Sequence, residues 1–200
     1  MLLRLGVLAL CSLVGFVSVP SAKAHVEGTY VPGLTPASVI AHFEDFGLTC
    51  INDGQPNGGD PGPGQRGAEC SATFPEHGAQ VSVLLNYFDD GHVESVWTTV
   101  FEQDVGVPGT VDPDFAFEWT DHVAELPYTG NEPEATKAWV RERAASGECH
   151  QGCSLDVDIA VWFMAARADG LPGQLDLNGT AVVAAPSASP MLPNTAVPLP

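Results

Sequence analysis

Five cysteines stand in 200 residues, at positions 11, 50, 70, 149 and 153, and they constrain the fold more than any other feature. Cys11 lies inside a stretch with the marks of an export signal. Arg4 gives a positive start, Leu5 to Val19 an apolar run, and Pro20-Ser21-Ala22-Lys23-Ala24 ends in the small-x-small pattern cut by signal peptidase. A helix that spans a bilayer needs about 18 or more apolar residues, and this run, broken at Pro20, is shorter. Leu10 is too bulky to precede a lipidated cysteine. Residues 1–24 are therefore expected to leave as a signal peptide, with His25 as the new N-terminus and no stable membrane span in the mature chain. Cys50, Cys70, Cys149 and Cys153 then meet an oxidising compartment, where an even count reads as two disulfides with three pairings open. The sequence-local pairing, Cys50 with Cys70 and Cys149 with Cys153, is favoured because each pair brackets a glycine-containing loop.

Charge narrows the partners. The chain has 25 acidic and 7 basic side chains. Arg4 and Lys23 leave with the signal, so 5 basic groups face 25 acidic ones, a net charge near −20, and Lys137 is the lysine that remains. Such a surface repels phosphates, so nucleic acid and anionic lipid are not expected partners. Cationic partners, or solubility in a salty medium, fit it.

The rest of the chain reads as short alternating elements. Thr35 caps a helix opened by Pro36, with Val39, Ile40, Phe43 and Phe46 at helical spacing and Gly47 as its stop. Leu48 to Ile51 reads as a strand. Residues 52–67, NDGQPNGGDPGPGQRG, are too poor in apolar groups to order themselves and read as a mobile loop. Val81, Val83, Leu85 and Tyr87 alternate with Ser82, Leu84 and Asn86, Asp89 to His92 turns the chain, and Val93 to Phe101 returns as a hairpin. Asp112 or Asp114 caps a second helix that runs to about Leu126, with Phe115, Trp119, Val123 and Leu126 on one face. A third helix runs from Pro133 to Ser146, expected to bury Ala135, Ala138, Trp139 and Ala145, and Gly147 stops it. Leu155, Val157, Ile159, Val161 and Phe163 then alternate as one strand with a face on the core, and Gln174 to Leu177 is expected to pair back after a turn. Local hairpins beside segregated helices predict an α+β fold: an antiparallel sheet with helices on one face, a two-layer sandwich stapled by disulfides. The expected domain is 25–184, followed by a disordered Pro-rich tail, 185–200.

The tail holds Leu192, Pro193, Asn194, Thr195 and Ala196. This run resembles the LPXTG and LPXTA sorting signals of Gram-positive surface proteins. The resemblance implies cleavage after Thr195 by a membrane transpeptidase and covalent attachment to the cell wall. In that family an apolar span and a basic tail follow, which Val197 to Pro200 are not. Display at the wall and free secretion therefore stand as the two expectations.

Candidate chemistry is sparse. His25 would be an N-terminal histidine of the kind some copper enzymes use, but His42, His77, His92, His122 and His150 sit in no recognisable ligand pattern, so an exposed histidine is expected. Glu118, His122 and Glu125, four and three apart, share a helix face and could form a metal or general-base cluster; a solvated stripe is the plainer expectation. Cys149-His150 lacks the Cys-x-x-Cys-His order of haem attachment, so a disulfide is expected there. Asp53, Asn57 and Asp60 lack calcium-loop spacing. Asn178-Gly179-Thr180 fits an N-glycosylation acceptor. No Gly-x-Ser-x-Gly, His-Glu-x-x-His or phosphate-cradling motif occurs. No cofactor or metal site is therefore assigned. The expected function is a secreted or cell-surface, non-catalytic binding or envelope module that meets an extracellular ligand or a cell-wall component. The alternative is a small secreted enzyme, metal-dependent or not, that uses His122 with Glu118 or Glu125.

Overall fold

A computed structural model describes residues 28–55, 64–103, 111–157 and 159–183. The signal segment, His25, Asn57, Asp60 and the sorting-like motif lie outside the described residues. The order of elements is β1 Thr29–Tyr30, α1 Pro36–Asp45, β2 Thr49–Ile51, β3 Gln65–Phe74, β4 Ala79–Phe88, β5 Val93–Glu102, α2 Pro113–Ala124, α3 Pro133–Ser146, β6 Cys153–Val157, β7 Ala160–Ala166, β8 Pro172–Gly179 and β9 Ala181–Val182. Strands β2-β3-β4-β5-β8-β7-β6 form one seven-stranded sheet, antiparallel at every pairing, and β1 and β9 pair as a two-stranded ribbon. The α+β expectation holds.

Local chemistry sets the helix ends. Thr35 accepts from the Ser38 amide while the Ser38 hydroxyl accepts from the Thr35 amide, so two orphan donors of α1 are satisfied reciprocally. Asp112 caps α2 through the Asp114 amide, and Gly147, at φ 68°, ends α3 in the left-handed conformation. Helix α1 packs on β3 and β4, α2 on β8, and α3 on β7. Val39 and Phe43 of α1, and Ala116, Trp119 and Val123 of α2, are buried against the sheet. All three helices thus cover one face.

On that face a single cross-strand row carries three of the four bonded cysteines. Successive Cα partners are Cys50, Cys70, Val83, Thr98, Leu175, Met164 and Cys153. Cys50 is bonded to Cys70, which ties the edge strand β2 to β3. At the opposite edge Cys153 is bonded to Cys149, which sits in a short 3₁₀ turn after α3. The expected pairing is the one found, and it accords with an oxidising compartment.

Three expectations give way. Residues 65–67 belong to β3, a ten-residue strand that the 52–67 loop reading cut into. Its sequence, QRGAECSATF, has small residues at 68, 70 and 72 and its one large apolar side chain, Phe74, at the very end. Such small side chains suit a strand packed under helices but leave no alternation to read. The single strand expected over 155–164 is a hairpin that turns between Val157 and Ala160. Val157 pairs with Ala160, so the turn reverses parity, and Ala160, Trp162 and Met164 are buried where Val161 and Phe163 were expected. Helix α3 buries Thr136, Val140 and Ala144, leaving Ala135, Ala138 and Ala145 exposed and Trp139 half-buried. A helix rich in alanine carries too weak an apolar contrast to fix its rotation from sequence. The ribbon of β1 and β9 was not anticipated. It crosses so close to β8 that a Cβ on Gly179 would meet the Tyr30 backbone at 2.1 Å.

Candidate functional site

The face of the sheet away from the helices has no helix over it among the described residues. Its central row runs, as Cα partners, through Ile51, Glu69, Leu84, Trp97, Asp176, Phe163 and Ser154. Ile51 is 64 % exposed and Trp97 43 % exposed. Neighbouring rows are polar: Ser82, Thr99 and Gln174 on one side, and Asn86, Ser95 and Asn178 on the other.

Trp97 is held in place across the strand pair. Its indole Nε1 donates to Asn178 Oδ1 at 3.3 Å. That bond uses the side chain of the glycosylation-like tripeptide, which lies mostly inside β8. Directly across from Trp97, the Asp176 carboxylate accepts from the Thr98 amide at 3.1 Å and from Gln174 Nε2 at 2.5 Å. Burial pushes the Asp176 carboxyl up to about 6, against these two hydrogen bonds, which favour the ionised form. Phe163 flanks Asp176 from β7, its ring lying so near Gly152 that a Cβ there would meet it at 2.4 Å. Beyond Thr99 and Gln174 the pairing of β5 with β8 stops, and a cleft of about 640 Å³ opens between Phe101, Glu102, Ala165 and Arg167. Arg167 lines it, ion-paired to Glu102 at 2.5 Å and Asp169 at 2.7 Å.

The residues singled out from sequence do not gather into one site. His122 lies flat on Phe46, ring centroids 3.7 Å apart at 19°, and its carbonyl accepts from His42 Nε2 at 2.8 Å. Desolvation lowers its pKa against the pull of Glu118 and Glu125. Glu125 Oε2 is 4.0 Å from His122 Nδ1, while Glu125 Oε1 takes Lys137 Nζ at 2.6 Å. Glu118 is exposed and borders a separate hollow of about 400 Å³ beside Arg141, which chelates Asp121 with both terminal nitrogens. His77 is bonded to Asp112 and stacked on Phe115, and the His92 backbone amide donates to Asp90 Oδ1. Asp53 accepts from the Gln55 amide. Among the described residues no three histidine, cysteine or carboxylate side chains gather as metal ligands. None of their helices is long and apolar enough to cross a membrane.

Trp97 and Asp176 escaped the reading of the sequence, and Asn178 was singled out there only as a glycosylation acceptor. The signal available was small: a tryptophan at a polar-face position of an alternating strand. Fold and site together describe a disulfide-bonded α+β protein with helices on one face of its sheet and an aromatic, acidic opposite face. No family model, curated protein or solved structure matches the chain.

Proposed function

We propose that this chain is an exported, non-catalytic binding module that engages its partner through the face of the sheet opposite the helices. One observation carries the reading: Trp97 and Ile51, two large apolar side chains, are exposed on a single cross-strand row beside a cleft. Binding surfaces concentrate their energy in a few aromatic anchors, tryptophan above all, set among polar groups. Trp97 is also anchored by Asn178, so its ring is presented with little ordering left to lose on binding. The N-terminal signal pattern and the two disulfides support export, and the resemblance of residues 192–196 to sorting signals supports display on a cell wall.

Retention of the mature protein on purified envelope preparations of its source tests this. Trp97→Ala is expected to weaken retention by about tenfold, within the usual range for a buried aromatic anchor. Retention indifferent to Trp97→Ala would sink the reading. Turnover of a substrate that disappears in His122→Ala would replace it with the enzyme alternative.

A further inference from the structure

Strand β5 carries Trp97, Thr99 and Phe101 on the open face, two residues apart each time, with unbroken register from Trp97 opposite Leu84 to Phe101 opposite Gln80. At about 3.4 Å per residue the two aromatic positions are about 14 Å apart, with Thr99 midway. Phe101 borders the cleft of about 640 Å³, a volume ordinary for a small-molecule site, and Thr99 and Gln174 line it too. What this strip offers a ligand is uncharged. The indole N–H of Trp97 is spent on Asn178, so the exposed part of that side chain is ring surface. Asn178 keeps its Nδ2 amide and Gln174 its Oε1 carbonyl unbonded among the described residues, and Thr99 is exposed. The cation of the cleft, Arg167, is taken up by Glu102 and Asp169, and the Asp176 carboxylate by the Thr98 amide and Gln174.

A chain of sugar rings matches such a strip. A pyranose presents weakly positive C–H groups that pack on the negative face of an aromatic ring. Its hydroxyls donate and accept, as the side chains of Thr99, Gln174 and Asn178 do. An anionic ligand would find no free cation here, only Glu69 two strands away, and would meet a strongly acidic protein. A peptide strand has no ladder to join beside Trp97, because β5 is paired there with β4 on one side and β8 on the other. We propose that Trp97, Thr99 and Phe101 form the floor of a site for a neutral oligosaccharide chain, with one sugar on Trp97, another on Phe101, and the amides of Asn178 and Gln174 on the hydroxyls. The proposal rests on the binding-module reading and deepens it by naming the class of ligand.

Calorimetry of the mature protein tests it with three neutral hexasaccharides, chitohexaose, cellohexaose and maltohexaose, and with hexagalacturonate as the anionic control. At least one neutral chain is expected to bind, with an affinity that changes less than about twofold between 0.01 M and 1 M salt, because no charge pair is there to be screened. Trp97→Ala is expected to weaken that binding by about tenfold, and Phe101→Leu and Thr99→Val each by about threefold. Thr99→Val is an exposed change of the same shape, so the test does not hang on a variant that fails to fold. Glu44→Gln, exposed on α1, leaves the affinity intact. No binding of any neutral hexasaccharide, binding that ignores Trp97→Ala, or equal affinity for hexagalacturonate overturns the proposal. Envelope retention that depends on Trp97 but is abolished by prior protease digestion of the envelope means a protein partner, and overturns the glycan while the binding face stands. Retention that ignores Trp97→Ala removes the module reading itself.

Discussion

At the scale of single residues, Asp176 couples the open face to pH. It is 5 % exposed, and its carboxyl titrates near 6 instead of 3.8. The folded state therefore holds this proton where the unfolded chain has released it, and stability falls as pH rises from about 4 through about 6. Asp176→Asn removes that loss. Urea denaturation is expected to show the variant gaining on wild type by about 2–3 kcal/mol between pH 4 and pH 8; a difference flat across that range would refute the assignment. His122 acts in the opposite direction. Its pKa is lowered below 6.5 by burial against Phe46, so its contribution is present above 6.5 and is lost as pH falls toward the folded-state value. The two groups act with opposite slopes across overlapping, mildly acidic pH, so their effects offset each other there.

Among the elements, the disulfides matter through where they act. Cys50–Cys70 closes 20 residues of sequence separation and holds β2, a three-residue edge strand with few ladder bonds of its own. On the loop-entropy model the bond contributes about 3 kcal/mol, and Cys149–Cys153, with a separation of 4, about 2 kcal/mol. Replacing Cys50 and Cys70 together by serine is expected to lower the free energy of unfolding by about 3 kcal/mol and to speed amide exchange in β2 before β4 and β5. Uniform exchange across the sheet would show that the bond does not act locally. The strands themselves were unevenly legible. β4 and β5 announced themselves because Val81, Val83 and Leu85 alternate with more polar neighbours and a glycine-containing turn joins the two. β3 did not, because Ala68, Cys70 and Ala72 are small and Phe74, at its end, is the one large apolar group on its helix-side face. The β6–β7 hairpin misled because two runs of alternation joined without a visible turn signal, and the parity change at Val157–Ala160 is invisible to a pattern of period two.

For the whole molecule, net charge dominates. The full chain carries 25 acidic against 7 basic groups. Each described basic side chain already lies beside a carboxylate, so the surplus repels itself across the surface. Added salt shortens the screening length from about 30 Å at 0.01 M to about 3 Å at 1 M. The melting temperature is expected to rise by several degrees over that range, as calorimetry would show, and a fall would mean that the surface ion pairs outweigh the repulsion. What the sequence determined by itself was what local chemistry writes into the chain: the helix caps at Thr35 and Asp112, the Asp89–His92 turn, the paired cysteines and the acidic balance. The tertiary structure alone decided the rotation of α3, the phase of β7 and the assembly of Ile51, Glu69, Trp97, Asp176 and Phe163 into one row. These residues come from five strands whose order is not their order in the chain. Register between strands distant in sequence is set by which faces can be buried together, and no local pattern records it.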